Sequence, residues 1–278
     1  MMEKLPDILT DGDLRLRPLT AADLTVVTAH FNDIRITRWL AAVAQPFGPE
    51  AARELLAHGT YPGENLRVIE HHDRIVGGLC VGTSLWYWLA PEFWRQGLMR
   101  RALKLIITAR FIGAAPPLTA TAHVENTASR ELLTGLGFSI FPAPRRMFFH
   151  STQTSESCRD YVMAPEQWHL LHPLTFRAGN LSFRPARQQD TPALAQMLST
   201  AGPGPWPETE SLTGFIEEHR YRGSGQGLFV MSDDNRRNVG MALLTITGPQ
   251  LCFLSEVEDI RHRVQVMDGL ASILHTWS

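Results

Sequence analysis

The residues best suited to chemistry lie in one short segment, residues 86–102, where an aromatic stretch passes through Pro91 into a turn rich in arginine. A helix is predicted to begin at Gly97. Backbone N–H groups at the start of a helix converge on one point, and the helix dipole adds positive charge there, so an anion such as pyrophosphate binds well. Loops of this kind usually contain several glycines, whereas this one contains a single glycine among arginines. The segment therefore predicts a phosphate site in an altered form.

A second polar pair, Asn126 and Ser129, lies one helical turn apart, so both side chains share a helix face. The pair stands at the start of a predicted helix, directly after a predicted strand. Asparagine commonly caps a helix by accepting a backbone N–H bond, which is a purely structural role. The same side chain can also contact a ligand, and the two roles are compatible.

The elements that must position these residues can be read from hydrophobic spacing. Apolar residues recur every three or four positions in helices and every second position in strands. The predicted helices cover 21–31, 49–58, 97–112 and 126–136, and the predicted strands cover 66–70, 75–81, 85–89, 118–124, 138–141, 147–150 and 160–163. Antiparallel strands followed by a strand–helix–strand–helix core indicate an α/β fold with a mixed sheet, not a helical bundle.

An internal repeat divides the chain. The segment Leu14–Leu24 is echoed by Leu181–Thr191, with matched residues 167 positions apart (17 to 184, 23 to 190). Both copies predict a short strand that ends at Arg-Pro and an aspartate early in the next helix. Two copies of one unit are therefore expected, with the first domain over 1–172 and the second over 173–278.

The second copy is predicted to be incomplete. Its expected strands cover 227–231, 239–247 and 251–257, and a final helix covers 264–277. It has no counterpart of the strand and helix over 118–136. Where the first copy has its phosphate turn, residues 261–266 contain no glycine. We therefore expect the second copy to be non-catalytic.

Three motifs in order give residues 14–168 a family resemblance. The motifs are Trp88–Trp94 with Gly97, Asn126–Ser129 with Leu136-Gly137-Phe138, and Asp160–Met163 with Glu166–Trp168. With these three motifs, residues 14–168 resemble the GNAT acetyl-CoA-dependent N-acetyltransferases of the RimJ/RimL-like branch. The resemblance implies the GNAT fold, in tandem here, with a truncated GNAT-like second copy.

The resemblance also implies roles for particular residues. Acetyl-CoA would be the cosubstrate, with its pantetheine arm between two splayed strands and bound by the backbone of Leu89. The pyrophosphate would bind the backbone of the loop residues Arg95, Gln96, Gly97, Leu98, Met99 and Arg100. Asn126 would contact the arm, and Ser129 would hydrogen-bond the departing thiolate. The loop departs from the family pattern at Arg95, where glycine is usual, at Met99, where a small residue is usual, and at Arg101, where an acidic residue is common.

The general base is harder to assign. The strand over 83–89 contains no Asp or Glu, although many relatives have one there. His123, near the end of the predicted strand over 118–124, is the best-placed titratable group, and a water chain is the alternative. Many relatives outside this branch carry a tyrosine acid seven residues after the Asn, and this chain has Leu133 there. Ser129 is then the acid candidate in this helix.

Three tryptophans are candidates for the acceptor site. Trp86 and Trp88 share one face of a strand, because side chains alternate along it. Together with Trp39 and Phe47 they would line a pocket for an apolar or aromatic amine. The alternative is that they pack in the core.

Composition limits the function classes. A net charge of −2 argues against nucleic acid or a polybasic membrane surface as the main partner. No run of 18 apolar residues and no signal peptide are present, and the three separated cysteines fit a reducing cytoplasm without a metal site. The expected function is acetyl transfer to a primary amine, either a protein N-terminal α-amine or a small molecule. The alternative is a catalytically degenerate GNAT that acts as an acyl-CoA-binding or protein-interaction module. In either case the second copy would dock on the first domain, pair with another subunit in a homodimer, or shape the acceptor site.

Overall fold

The computed structural model describes residues 5–112, 115–199, 204–222, 226–245, 247–253, 266–267 and 270. The chain divides into two units. The first comprises Met1–Arg110 and Ala115–Gln167, and the second comprises Phe111–Ala114 and Trp168–Ser278. None of the described helices is both long and apolar enough to span a membrane.

The first unit contains a mixed sheet and its helices. The strands are β1 (Leu9–Asp11), β2 (Leu14–Pro18), β3 (Asn65–His71), β4 (Arg74–Val81), β5 (Ser84–Leu89), β6 (Leu118–His123), β7 (Ser139–Ile140), β8 (Arg145–Phe149) and β9 (Thr154–Met163). The helices are α1 (Leu24–Phe31), α2 (Ile34–Thr37), α3 (Pro49–His58), α4 (Leu98–Ile112), α5 (Thr127–Gly135) and α6 (Pro165–Leu171).

The sheet order positions the candidate site. The strands run β1-β2-β3-β4-β5-β6-β9-β7, and β8 also pairs with β9. All pairs are antiparallel except β5–β6, which is parallel. Within the described residues β5 and β6 pair only at Ser84↔Thr119 and Leu85↔Ala120. The carboxyl halves of these two strands are therefore not joined to each other, which leaves a gap in the sheet.

Most predicted elements of the first unit are confirmed, and the helix over 49–58 has its predicted bounds. Three short elements, β1, α2 and α6, were not predicted because they are too short to show a period. The strand predicted over 160–163 is longer and begins at Thr154. Its first half is a polar run without alternation, so only pairing with β6 and β8 reveals it.

One face of the sheet is covered by the N-terminal helices. α1 and α3 supply Phe31 and Ala52 to a buried cluster, and β5 supplies Trp88. Phe31 meets Trp88 edge-on with ring centroids 4.7 Å apart, and Phe47 packs against Phe31 at 5.0 Å. This side of β5 is therefore core.

The second unit contains a five-stranded antiparallel sheet. The elements are β10 (Phe176–Ala178), β11 (Leu181–Pro185), α7 (Thr191–Leu198), α8 (Leu212–Glu218), β12 (Gly227–Ser232), β13 (Asn238–Thr245) and β14 (Gly248–Phe253). The strands pair in chain order. The predicted extension of the last strand to residue 257 lies outside the described residues, as does nearly all of the predicted helix over 264–277.

The two units begin with hairpins of equal register. Leu9 pairs with Leu16 in the first unit, and Phe176 pairs with Phe183 in the second. These residues differ by the same 167 positions as the sequence repeat (9 to 176, 16 to 183). The next strand pair also matches, because β3 has a register shift after Ile69 and β12 has one at the corresponding place.

A partly buried ion pair recurs with the hairpins. The guanidinium of Arg17 donates to the carboxylate of Asp23 at 2.7 and 2.8 Å, and Arg184 donates to Asp190 at 2.8 and 2.7 Å. In each unit the carboxylate also accepts a backbone N–H three residues earlier, from Thr20 or Arg187. In both units the ion pair therefore joins the end of a strand to the start of the next helix.

Candidate active site

The loop after β5 has an unusual backbone. Pro91–Phe93 form one 3-10 turn, after which Arg95 (φ 61°) and Gly97 (φ 76°) are left-handed, and α4 begins at once. A left-handed residue is usually glycine, because a side chain crowds the backbone in that conformation. Arg95 therefore adopts the backbone conformation that glycine most readily adopts.

The loop presents backbone N–H groups to solvent. The first helical bond of α4 runs from Arg101 N–H to Gly97 C=O, so the N–H groups before it have no partner in the helix. Residues 94–97 are exposed, whereas the side chains of Leu98 and Met99 are buried. Leu98 and Met99 can therefore offer a ligand only their backbone.

The arginines of this segment differ in their partners. Arg101 donates to the carboxylates of Asp11 and Asp13 at 2.8 and 2.7 Å. Arg100 donates to the Gly135 carbonyl at 3.0 Å. The charge of Arg101 is thus balanced by two carboxylates, so it adds less positive potential to the loop than the sequence alone would indicate.

The gap beside β5 exposes the backbone of Leu89. Ala90 N–H donates to Val76 C=O on β4. Because successive residues of a strand direct their backbone groups to opposite edges, the N–H and C=O of Leu89 face the β6 side, beyond the last β5–β6 pair. The indole N–H of Trp94 donates to this carbonyl at 2.7 Å. An extended ligand in the gap would meet these groups.

The Asn126 side chain caps α5, as predicted, by accepting the Ser129 N–H at 3.1 Å. Its amide NH₂ is a second hydrogen-bonding group on the same side chain. The Ser129 hydroxyl lies 2.8 Å from the phenol oxygen of Tyr87. Burial raises the pKa of Tyr87, so the phenol keeps its proton at neutral pH.

Tyr87 was missed by sequence reasoning. Its neighbours Trp86 and Trp88 suggested core packing or an acceptor pocket for the whole aromatic run. The signal lay in the alternation of the strand, which places Tyr87 on the face opposite Trp88. Nothing in the sequence showed that this face meets α5 at Ser129, because 42 residues separate the two hydroxyls.

His123 is held by its surroundings. It is 8% exposed and lies edge-on to Trp39 and Phe149, with ring centroids 5.3 Å away in both cases. Its Nδ1 accepts the Glu125 N–H at 3.0 Å, and Nε2 lies 3.9 Å from a carboxylate oxygen of Glu156. A neutral imidazole has one lone pair for accepting a proton, and here that lone pair faces Glu125. To act as a general base, His123 would first have to lose its hydrogen bond from the Glu125 N–H.

The three candidate tryptophans separate into two places. Trp88 is 3% exposed, and its indole donates to His30 Nδ1 at 3.3 Å. Trp86 stacks on Trp88 at 5.8 Å and is partly buried. Trp39 instead lies against His123 and under Arg38. Trp88 packs as core, and Trp39 is the one beside a predicted catalytic residue.

The first unit is similar to known acetyltransferases. Residues 13–139 match the family model of the acetyltransferase (GNAT) domain. The first unit has the GNAT fold. A GCN5-related N-acetyltransferase from Brucella melitensis has a TM-score of 0.52 at 14% identity, covering 62% of this chain and 84% of that chain. A spermidine N-acetyltransferase from Vibrio cholerae, crystallised with CoA and spermine, has a TM-score of 0.50 at 16% identity, covering 57% and 99%. No curated protein matches this chain.

The GNAT resemblance implies coenzyme A, and the residues present fit that group. Exposed N–H groups precede the first helical bond of α4, which suits a pyrophosphate. The Leu89 backbone faces a gap that an extended arm could enter. The position that carries a tyrosine acid in many relatives is here Leu133, which is buried. Tyr87 brings a phenol to the same helix from the strand side.

Proposed function

We propose that this chain is an acetyl-CoA-dependent N-acetyltransferase that transfers acetyl to a primary amine by direct attack in a ternary complex. The observation that carries the proposal is the loop of residues 94–97, which keeps its left-handed backbone at Arg95 and Gly97 directly before α4. An altered sequence that retains this backbone retains the anion site, because main-chain N–H groups form it.

The cofactor contacts would come mainly from backbone. N–H groups from Arg95 to Arg100 would bind the pyrophosphate, and the N–H and C=O of Leu89 would bind the pantetheine arm. The Asn126 amide NH₂ would donate to the arm while its oxygen caps α5. The indole of Trp94 would leave the Leu89 carbonyl as the arm enters.

The reaction needs a proton for the thiolate that leaves. The amine nitrogen attacks the thioester carbon, the carbon–sulfur bond breaks, and the sulfur takes the electron pair. The Ser129 hydroxyl is proposed to hydrogen-bond this sulfur and protonate it, and the Tyr87 phenol, 2.8 Å away, to pass its proton to Ser129. The attacking nitrogen loses a proton as the amide forms, and this proton, carried by water, returns to Tyr87. Burial raises the pKa of Tyr87, so the phenol is protonated before the reaction and regains its proton afterwards.

The amine must arrive uncharged, so a base or water must take its proton. His123 is the proposed base, and it would have to release the Glu125 N–H first. A water path to bulk is the alternative. Trp39, which contacts His123, is proposed to border the acceptor. Trp86 is not proposed there, because it stacks on the core residue Trp88.

The second unit is proposed to be a truncated GNAT-like copy without catalytic function, with domain limits at 1–172 and 173–278. Equal hairpin registers and the recurring Arg–Asp pair support a common origin. A further proposal is a cytoplasmic location. Cys80, Cys158 and Cys252 are buried without disulfides, which suits a reducing compartment.

A non-catalytic acyl-CoA-binding module is the second candidate. The absence of Asp and Glu from residues 83–89 favours it, because many GNAT enzymes place a base there. The Ser129–Tyr87 pair favours the enzyme, because a binding module needs no proton donor at that point.

One pair of measurements separates the candidates. Acetyl-CoA is titrated into the full chain by calorimetry, and thiol release is then measured with peptide N-termini and small amines, using Ser129→Ala as the matched control. Binding with release that Ser129→Ala slows supports the enzyme. Binding without release on any amine supports the module, and no binding contradicts both.

A further inference from the structure

Two hairpin turns of the first unit bring three metal-ligating side chains together. Asp13 lies in the turn between β1 and β2, and His71 and His72 lie where β3 turns into β4. The Nε2 atoms of both imidazoles approach the same oxygen, Oδ2 of Asp13, at 2.9 Å from His71 and 3.4 Å from His72.

The backbone and a neighbouring cation fix this arrangement. His72 (φ 49°) and Asp73 (φ 59°) are both left-handed, as in a tight two-residue hairpin turn, so adjacent histidine rings are held side by side with centroids 4.2 Å apart. Arg101 binds the other carboxylate oxygen of Asp13 at 2.7 Å. This hydrogen bond is the main reason that the pKa of Asp13 is lowered to about 2, so the carboxylate is ionised at neutral pH.

We propose that Asp13, His71 and His72 form a binding site for a divalent transition-metal ion, best matched by Zn²⁺. Ligands around tetrahedral zinc lie about 2.0–2.2 Å from the metal and therefore about 3.3–3.5 Å from one another. The separations of 2.9 and 3.4 Å are close to that spacing, and all three ligand atoms lie within 4.8 Å of one another. Two imidazoles select zinc, nickel or copper over magnesium and calcium, which prefer oxygen ligands.

A surface ion pair explains the cluster less well. His72 is 72% exposed, and an exposed pair adds little stability, yet its nitrogen is directed at the oxygen that His71 already contacts. In the metal-bound form Arg101 would orient the carboxylate from its other oxygen, as outer partners of metal ligands commonly do. Water would complete the coordination on the exposed side. The ion would then join the β1–β2 and β3–β4 turns.

The test is a calorimetric titration of ZnCl₂ into the full chain after removal of any polyhistidine tag. We expect one equivalent to bind, with His72→Ala weakening the affinity at least tenfold. Because His72 is exposed, this variant should fold normally, which circular dichroism checks. Asp13→Asn should also weaken binding at least tenfold.

A second cluster provides the matched control. His58, Glu64 and Cys80 also place three ligand atoms near one another. His58→Ala should leave the zinc affinity unchanged under the proposal. Unchanged affinity in His72→Ala, or loss of binding in His58→Ala alone, would overturn it. Substitution of Co²⁺ gives an independent readout, because the intense visible absorption of tetrahedral cobalt should disappear in His72→Ala.

Discussion

The first five strands of the N-terminal unit and the five strands of the C-terminal unit pair in the same order and are antiparallel throughout. The Arg17–Asp23 and Arg184–Asp190 pairs join strand to helix identically in each. Beyond the fifth strand only the first unit is described continuously. There β5 continues into a left-handed loop and α4, whereas the residues described after β14 are 266–267 and 270. The five shared strands are thus a scaffold, and the candidate chemistry of the first unit lies on β5 and in the segments that follow it.

The cores of the two scaffolds fill space differently at one matched position. Gly78 lies opposite Trp88 in the first unit, and Met241 lies opposite Cys252 in the second. A Cβ at Gly78 would lie 2.1 Å from the Trp88 ring, so this glycine provides the space for the indole. The larger side chain of the pair is on the last strand in the first unit (Trp88) and on the strand before it in the second unit (Met241), while the strand pairing is the same. Protein cores tolerate such exchanges when the total side-chain volume is conserved.

The largest effect is expected from a substitution that disrupts the left-handed loop before α4, which only the first unit shows within the described residues. Gly97→Pro should abolish acetyl-CoA binding, by more than about a hundredfold, because proline fixes φ near −65° and Gly97 has φ 76°. Gly97→Ala is the matched control. A Cβ there meets nothing within 4 Å, so it should cost only the left-handed strain, about 1–2 kcal/mol in the free energy of unfolding, and leave the affinity within about threefold. Calorimetry measures both, and equal affinity in Gly97→Pro would place the pyrophosphate elsewhere.

The next prediction tests whether the Arg–Asp pair stabilises both units equally. Asp23→Asn and Asp190→Asn should each lower the free energy of unfolding of their own unit, by about 1–2 kcal/mol, because each removes charged hydrogen bonds to an arginine. Urea denaturation with a probe in each unit measures this. A large loss in one unit and none in the other would show that the pair does not have the same role in both.

The same aspartates give a pH dependence with a definite sign. Hydrogen bonds from Arg17 lower the pKa of Asp23 to about 2 in the folded protein. Its stabilising contribution is therefore complete above the ordinary aspartate range and is lost as the pH falls from about 4 towards 2. Asp23→Asn should flatten the loss of stability in that range, and an unchanged acid profile would contradict the assignment.

A smaller effect concerns proton supply, for which the described part of the second unit has no counterpart. Tyr87→Phe should lower kcat about tenfold or somewhat more, with the KM for acetyl-CoA unchanged, because Ser129 keeps its hydroxyl but loses its donor. Ser129→Ala should have the larger effect, and the double variant should add little to it. Additive effects of the two substitutions on kcat, or a raised KM for acetyl-CoA, would indicate that Tyr87 has only a packing role.

The smallest effect concerns the loop sequence. Arg95→Gly should raise the free energy of unfolding by no more than about 1 kcal/mol, because relief of left-handed strain is partly offset by the flexibility of glycine. Affinity for acetyl-CoA should stay within about threefold, with Arg95→Lys as the control for charge. A tenfold loss in Arg95→Gly would show that the guanidinium itself binds the cofactor.

Much of the scaffold could be predicted from the sequence, because alternation and helical spacing are local. The helix over 49–58, the strands over 66–70 and 75–81 and the Asn126 cap all depend on neighbouring residues. The repeat also anticipated β2 and β11 as matching strands. The polar first half of β9 could not be read in this way, because its partners supply the pattern that it lacks.

The site was less predictable, because its decisive contacts join distant residues. Arg101 and Asp11 are 90 positions apart, so the sequence did not show that this arginine is paired with a carboxylate. The hydrogen bond from the Glu125 N–H to His123 Nδ1 depends on the orientation of the imidazole ring, which the spacing of residues in the sequence does not determine. The left-handed backbone at Arg95 runs against the preference of arginine, so only the folded loop reveals it.

Hydrogen exchange with and without acetyl-CoA tests whether the cofactor binds the first unit alone, because it examines both units in one sample. We expect slower exchange of backbone N–H groups over 89–101 and near Asn126, with no change over 226–245. Unchanged exchange in the loop after β5, or equally slowed exchange in the second unit, would show that β5, its loop and α5 are not the cofactor site.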